Sequence, residues 1–179
     1  MLEVIIPACE IYDEGTESFS YKKEQKLTLE HSLVSIAKWE SKWCKPFLST
    51  TMNREESIDY IRCMTLTQNV QSEVYDRIPD NVMNKISDYI NAPMTATWFS
   101  NEKKGKASRE IVTAEIIYHW MIAFQIPIKF EKWHLNRLMT LIRVCEIKNA
   151  PPKKMGKKTT MSRNAAINAA RRQQLGSRG

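Results

Sequence analysis

The chain has 179 residues, of which 42% are hydrophobic and 26% are charged, and this composition is typical of a folded globular domain. Its formal charge of +7 suggests a nucleic-acid-binding protein at first sight. However, eight of the 27 basic residues and none of the 20 acidic ones lie in residues 151–179, which leaves residues 1–150 at −1. Electrostatic arguments about partners therefore apply to the C-terminal tail alone.

Neither a secretion signal nor a membrane span is predicted. The N-terminal MLEVIIPACE carries Glu3 and too short an apolar run for a signal core. The longest uncharged apolar run, residues 116–128, is too short to span a bilayer and contains Pro127. We therefore expect a cytoplasmic protein whose four separated cysteines are reduced core residues; they are Cys9, Cys44, Cys63 and Cys145.

Residues 1–31 are predicted to form a β-hairpin or a small meander. Leu2, Val4 and Ile6 alternate with more polar positions, and the stretch DEGTES provides a turn before a second β-like segment. Pro7 has no backbone N–H to donate, so it predicts a sheet edge or a bulge.

Helical periodicity begins after the hairpin. Ser32 can cap a first helix, and Asn53 with Glu56 three residues later is a plausible capping pair for a second. A short turn of helix is possible around 72–77, and an amphipathic helix over 82–90 stops before Pro93.

Two more helices are expected in the last third of the domain. Ser108 can cap a helix that extends to about residue 126 and is apolar nearly all round, which predicts a central position in a bundle. A tight link at Pro127 leads to a helix over 130–148, and so short a link predicts antiparallel packing. Six residues are expected to face inward in this last helix: Phe130, Trp133, Leu138, Leu141, Ile142 and Cys145.

The predicted fold is mainly α (α+β), a bundle of about five helices with an N-terminal β-hairpin and a basic C-terminal tail helix. A single globular domain spans 1–150, with the hairpin at 1–31 and the bundle at 32–150. Residues 151–179 form a flexible basic tail with a short conditional helix, capped by Ser162 and ended by Gly176. An isolated helix of about 14 residues is only marginally stable in water.

No residue pattern predicts a catalytic, cofactor or metal site. His134 has Asn136 and Arg137 nearby on one helix, but this spacing does not form a triad and we interpret it as structural. His119 is predicted to be a core residue in contact with Glu115 rather than a metal ligand. The five scattered glycines exclude a phosphate-binding loop.

The aromatic and methionine content allows two interpretations. Five tryptophans and nine methionines can form a rich core, or they can line an apolar groove for the helix of another protein. Trp39 and Trp43 share a helix face, and Trp39 is the better candidate for such a groove. In the tail, Arg163, Arg171 and Arg172 are candidates for docking on an acidic partner, while a solubilising role and nucleic-acid binding stay open.

Six stretches, in this order, together resemble a known family: residues 27–48, 59–70, 94–99, 109–123, 131–142 and the closing SRNAAINAARR at 162–172. They are similar to small proteins encoded in the morphogenesis modules of tailed bacteriophages, which are often described as tail assembly chaperones. The resemblance implies a non-catalytic protein of the host cytoplasm that needs no cofactor. Such a protein binds the tape measure protein and keeps it soluble while tail tube subunits polymerise around it.

Two other functions stay open at this point. A structural virion component, such as a connector or tail protein, would remain in the finished particle. A nucleic-acid-binding protein acting through the basic tail is less favoured and predicts affinity that falls steeply with salt. A homo-oligomer is compatible with each of these functions.

Overall fold

The protein is described here from a computed structural model that covers residues 1–13, 18–99, 110–150 and 157–176. The fold is mainly α with a small β region at the N-terminus, as the sequence predicts. Contacts within the chain define two compact units, Met1–Glu146 and Ile147–Gly179, which are treated separately below.

The β region is a single hairpin with two successive antiparallel ladders. β1 (Leu2–Ile6) pairs with β4 (Gln25–Leu29), and β2 (Cys9–Asp13) pairs with β3 (Ser18–Lys22). Both ladders share one register, because every pair of partners, from Leu2–Leu29 to Asp13–Ser18, has residue numbers that add to 31. Pro7 lies in the interruption between the ladders, where no N–H is needed for pairing.

The base of the hairpin is built into the core. Strand β4 has a short partner on its other edge, where the Leu66 N–H donates to the Thr28 carbonyl at 2.8 Å and the Glu30 N–H donates to the Met64 carbonyl at 3.0 Å. Four side chains on the inner face are buried: Val4, Ile6, Leu27 and Leu29.

The first two long helices begin where their capping residues predict. α1 (Leu33–Trp43) follows Ser32, which forms a reciprocal capping box with Ser35. α2 (Arg54–Met64) follows Asn53, whose N–H donates to Glu56 Oε2 at 2.9 Å while its Oδ1 accepts from the Glu56 N–H at 2.8 Å. Both boxes satisfy N–H groups that the helix leaves unpaired at its start.

The remaining helices of the first unit are of unequal length. They are α3 (Glu73–Asp76), α4 (Asp80–Asn91), α5 (Ala114–Ala123) and α6 (Leu135–Asn149), with 3₁₀ turns at Phe47–Ser49 and Ile128–Lys132. α1 packs against both α2 and α5, which makes α1 the central helix of the unit.

The predicted central position of α5 is wrong. The helix begins at Ala114 after Thr113, and the expected cap Ser108 lies outside the described residues. Its buried positions Ala114, Ile117 and Met121 form one narrow stripe, whereas 75% of Ile122 is exposed. His119, predicted to be in the core, is also exposed. The helix is apolar all round, yet only one of its faces is covered by the unit.

The start of the last bundle helix and its packing also differ from the prediction. A 3₁₀ turn replaces the expected first turn, so α6 begins at Leu135, and its buried residues are Leu135, Leu138 and Ile142. Only two of the six predicted inward residues are therefore fully buried; Phe130, Trp133, Leu141 and Cys145 are partly exposed. Despite their short link, α5 and α6 line a groove instead of forming an extended packed pair.

The second unit contains α7 (Lys157–Leu175), which is longer than predicted. Ser162 lies inside this helix and does not cap it, while Gly176 ends it with a φ of +61°, a conformation that glycine adopts without strain. All described side chains from 161 to 176 are exposed, so α7 presents every face to solvent.

The four cysteines are free thiols; Cys63 packs against the core, but the predicted core placement is wrong for Cys44. Cys44 is exposed, and Cys9, Cys63 and Cys145 are partly buried. Cys44 follows α1 in the left-handed conformation, with φ +52°, and its N–H donates to the Glu40 carbonyl at 2.8 Å. Its place at this helix end gives it a backbone role instead of a packing role. Within the described residues, no helix is long and apolar enough to cross a membrane.

Candidate functional site

Trp39, the favoured groove residue from the sequence, is a core residue. Its side chain has no exposed surface, and its indole Nε1–H donates to the Glu56 carbonyl at 3.0 Å. The ring also packs edge-on against Phe47 with centroids 5.5 Å apart. A partner cannot reach this side chain in the folded protein. Of the two interpretations of the tryptophans, a rich core or a partner groove, the core is the one that applies to Trp39.

Trp43 joins α1 to α2 at the rim of the core. Its Nε1–H donates to Asp59 Oδ2 at 2.9 Å, and Lys42 Nζ lies 2.5 Å from Asp59 Oδ1. Burial alone would raise the pKa of Asp59, but the hydrogen bonds from Lys42 and Trp43 outweigh it and lower that pKa below its usual value. The partly exposed Trp43 ring is thus committed to a structural contact.

The tail arginines lie on the part of α7, residues 161–175, whose described side chains are all exposed. Arg163, Arg171 and Arg172 are all exposed on α7, and no acidic residue occurs in the sequence from 151 to 179. The predicted tryptophan pair and the predicted arginines belong to different units of the chain.

The Met1–Glu146 unit carries a groove with a volume of about 1160 Å³. α5 contributes Trp120, the residue that caps its C-terminus contributes the Phe124 side chain, and α6 contributes Met139 and Ile142. The segment 93–99 after α4 contributes chiefly threonines and Phe99, and polar or charged residues such as Glu110 and Arg143 complete the lining. Trp120, Phe124 and Met139 each pack on the core with one side and face the groove with the other.

Two polar side chains of α6 fix the segment 93–99 beside the groove. Asn136 donates from Nδ2 to the carbonyls of Ile90 at 3.0 Å and Ala92 at 2.9 Å, which attaches the end of α4 to the start of α6. The guanidinium of Arg143 lies 4.3 Å from the centre of the Phe99 ring. A cation at this distance from an aromatic face is attracted to it. The groove wall is therefore held by specific contacts.

The sequence pattern contains a signal for this groove. Trp120 and Phe124 are spaced four apart on a helix whose apolar residues exceed what one core contact covers. A helix with apolar residues all round predicts that more than one of its faces is covered. The sequence favours neighbouring helices of a bundle in this role, whereas in the structure one apolar face lines the groove. Segment 93–99 has no such periodic signal, since its contribution depends on the Asn136 contacts.

His31 and His134 form the most perturbed titratable cluster. The rings are buried with centroids 5.0 Å apart, and burial, with the nearby His134, lowers the pKa of His31 to about 3. His31 Nδ1 lies 2.5 Å from the hydroxyl of Tyr60, and burial raises the pKa of Tyr60 well above its usual value.

The hydrogen bonds of His134 determine its tautomer. Its Nε2 faces the Tyr89 carbonyl at 3.0 Å, which can only accept, while its Nδ1 faces the Asn136 N–H at 3.3 Å, which can only donate. Nε2 therefore carries the proton and the ring is neutral, and burial lowers the pKa of His134. Nε2 joins the start of α6 to α4 and Nδ1 accepts from the first turn of α6, so both nitrogens are engaged in structural contacts.

Glu40 is a buried carboxylate that the sequence analysis did not identify. Its Oε1 accepts from the Phe47 N–H and its Oε2 accepts from the Ala114 N–H, each at 2.7 Å. It therefore joins the end of α1, the following 3₁₀ turn and the first residue of α5. A negative charge at the start of α5 also complements the helix dipole.

Metal ligation is not supported by the described part of the chain. No group of three or more His, Cys, Asp or Glu side chains there is arranged to hold an ion. The expected contact of His119 with Glu115 is replaced by hydrogen bonds to the Glu115 carboxylate from its own backbone N–H and from the Thr113 side chain, which lower the pKa of Glu115.

Comparison with known proteins gives no relative. No family model, no curated protein and no solved structure matches the chain. The candidate site therefore depends on its own geometry, and the groove between α5, α6 and residues 93–99 is the feature best suited to bind a ligand.

Proposed function

We propose that this chain is a non-catalytic tail assembly chaperone of a tailed bacteriophage, which covers an apolar helical segment of the tape measure protein. The segment would lie in the groove formed by α5, α6 and residues 93–99. The observation that carries the proposal is the aromatic and thioether lining of this groove, supplied by Trp120, Phe124 and Met139. The assignment of the partner depends on the sequence resemblance.

The size and chemistry of the groove suit a helix better than a small ligand. Pockets for small molecules usually measure about 300–1,000 Å³ and enclose most of the ligand. This groove is larger than that range. Helices bind such grooves through apolar side chains spaced three and four residues apart, and Met side chains adapt to different partner sequences.

Reversible covering is also consistent with the energetics. Each large apolar side chain transferred from water into the groove contributes about 1.5–3 kcal/mol. Two or three such anchors supply about 3–9 kcal/mol, which is of the same order as the cost of association of about 4–15 kcal/mol, so the complex would be weak and its partner readily released. Glu110, Arg143 and Glu146 in the lining supply charges of both signs for the polar face of the bound helix.

The test uses the purified tape measure protein of the same phage and measures its binding to groove variants. Phe124→Ser removes a groove side chain, and Ile122→Ser is a matched control on the same helix, because Ile122 is exposed and does not line the groove. We expect a loss of affinity of about tenfold or more for Phe124→Ser and within about twofold for Ile122→Ser. Equal effects of the two substitutions would exclude the groove as the binding site.

Thr97→Arg separates blocked binding from damaged folding. Thr97 is exposed and lines the groove, so a long side chain there fills the groove without removing a core contact. The melting temperature should stay at its original value while binding is lost. Unimpaired binding by a folded Thr97→Arg variant would contradict the proposed position of the helix.

Mass spectrometry of purified virions distinguishes a chaperone from a structural component. A chaperone is released, so its peptides should be absent from the finished particle while the protein binds the tape measure protein in infected cells. Stoichiometric amounts in the particle would instead identify a connector or tail protein. The other partners expected of a chaperone, the tail tube subunits, can be tested in the same binding assay.

A further inference from the structure

The outer half of the hairpin presents an aromatic face to solvent. We call this half the arm, which consists of β2 and β3. Tyr12 pairs with Phe19, Glu10 pairs with Tyr21, and all four side chains lie on one face of the ribbon because they share a side of the register. The exposed fractions of Tyr12, Phe19 and Tyr21 are 50%, 73% and 65%.

The opposite face of the arm is attached to the body. Lys22 Nζ lies 2.6 Å from Glu73 Oε2, and Arg77 donates to Cys9 Sγ at 3.3 Å. Cys9 and Lys22 are paired residues of the ladder, so both contacts hold the same rung against α3 and the residue that follows it. With this rung fixed, the aromatic face stays directed away from α3.

The arm and the tail helix have complementary charges and apolar groups. The arm contains two acidic residues, Glu10 and Asp13, and one basic residue, Lys22, which is paired with Glu73, whereas α7 contains five basic residues and no acidic one. Ile167 and Arg171 lie four positions apart on one face of α7, and both are exposed. The apolar side chain and the cation on this face of α7 are therefore complementary to the Tyr12–Phe19 pair and the Glu10 carboxylate of the arm.

We propose that the arm binds α7 of a second copy of this chain. Ile167 packs on the Tyr12–Phe19 pair, whose centroids are 4.9 Å apart, and Arg171 reaches Tyr21 and Glu10 on the adjacent rung. Guanidinium groups bind aromatic faces and carboxylates, which this rung supplies together. The arm and the helix belong to the same chain, so two copies can exchange helices and form two equivalent contacts around a twofold axis.

The presence of two equivalent contacts sets the affinity that we expect for the dimer. Specific interfaces bury at least about 1,000 Å² in total, and a second equivalent contact doubles the area that one helix on one arm provides. We therefore expect a dimer with a dissociation constant in the micromolar range that weakens as salt rises, because both partners use exposed charges.

The test is sedimentation equilibrium of the full chain, alone and as variants. The arm variant is Phe19→Ser with Tyr21→Ser, and the tail variant is Ile167→Ser with Arg171→Glu. Each variant alone should be monomeric at concentrations where the original chain is dimeric. An equimolar mixture should associate again, because the arm variant supplies an intact α7 and the tail variant supplies an intact arm. Ile122→Ser, exposed elsewhere on the surface, should leave the dimer unchanged.

Each result supports or overturns the inference. Association restored in the mixture supports exchange of α7 between copies. An original chain that is monomeric at every concentration overturns it, as does a dimer that neither variant weakens. A monomeric chain that binds duplex DNA through α7 also overturns it, because nucleic acid is then the occupant of this helix. Circular dichroism of both variants should match the original chain, since all four substituted side chains are exposed.

Discussion

Replacing Glu40 by alanine tests how the unit is held together around α1. The carboxylate accepts from the N–H groups of Phe47 and Ala114, each at 2.7 Å, and only 8% of the residue is exposed. Removal of the side chain leaves both donors in a site that water does not fill well. Because these donors belong to the 3₁₀ turn and to α5, the substitution affects two connections at once.

The expected loss follows from these two hydrogen bonds. A hydrogen bond to a charged group contributes about 1.5–3 kcal/mol, so Glu40→Ala should lower the free energy of unfolding by about 3–6 kcal/mol. Typical domains are stable by only about 5–15 kcal/mol, so the effect is large. Glu40→Gln keeps one acceptor oxygen but turns an amide N–H₂ toward a donor, and should lose about half as much.

Guanidinium chloride unfolding, followed by tryptophan fluorescence, measures these losses. The matched control is Glu55→Ala, because Glu55 is an exposed carboxylate in the first turn of α2, where its interaction with the helix dipole is worth about 0.3–1 kcal/mol. The slope of free energy against denaturant should be unchanged. A loss for Glu40→Ala no greater than that for Glu55→Ala would refute the proposed role of the buried carboxylate.

Three further predictions concern individual side chains. Trp39→Ala should lower the free energy of unfolding by about 3–5 kcal/mol, whereas Trp98→Ala, at a residue that is 79% exposed, should change it by less than about 0.5 kcal/mol in the same denaturation assay. Asn53→Ala removes the cap of α2 and should lower the thermal midpoint through a loss of about 1 kcal/mol; an unchanged midpoint would contradict the capping box. Burial lowers the pKa of His31 to about 3, so below pH 6.5 the ring takes up a proton in the unfolded chain but stays neutral in the folded one. The contribution of His31 to the free energy of unfolding is therefore complete above pH 6.5 and is lost as pH falls toward 3. At pH 5 the loss should be about 2 kcal/mol, and His31→Asn should remove that part of the pH dependence; an equal decline in both proteins would refute it.

Local rules explain which parts of the fold could be predicted. The capping boxes at Ser32 and Asn53 depend on side chains three residues apart, and such signals are readable in one sequence. The hairpin follows from alternation and a polar turn, and Gly176 ends α7 because glycine adopts a positive φ freely. Each of these features is determined by residues that are close together along the chain.

Features that depend on distant residues were mispredicted or missed. Periodicity showed that α5 is apolar all round, but it did not show that only the Ala114–Ile117–Met121 stripe would meet α1. Trp39 has the same spacing from Trp43 whether it lies in a core or in a groove. Its contacts with Phe47 and with the Glu56 carbonyl place it in the core, and neither contact is visible in the spacing. The groove depends on segment 93–99, which Asn136 positions through carbonyls more than 40 residues away.

The two proposed surfaces rest on different physical forces, and this difference makes them separable. The groove presents Trp120, Phe124 and Met139, so burial of apolar area would dominate binding there, and such binding is not weakened by salt. The proposed contact between the arm of one copy and α7 of another would pair acidic with basic residues on exposed elements, where the screening length shortens from about 10 Å at 0.1 M salt to about 3 Å at 1 M. High salt should therefore dissociate copies of the chain while a helix stays in the groove. If both interactions were lost together, a single surface would have to serve both partners, and the assignment of α5 and the arm to separate roles would be wrong.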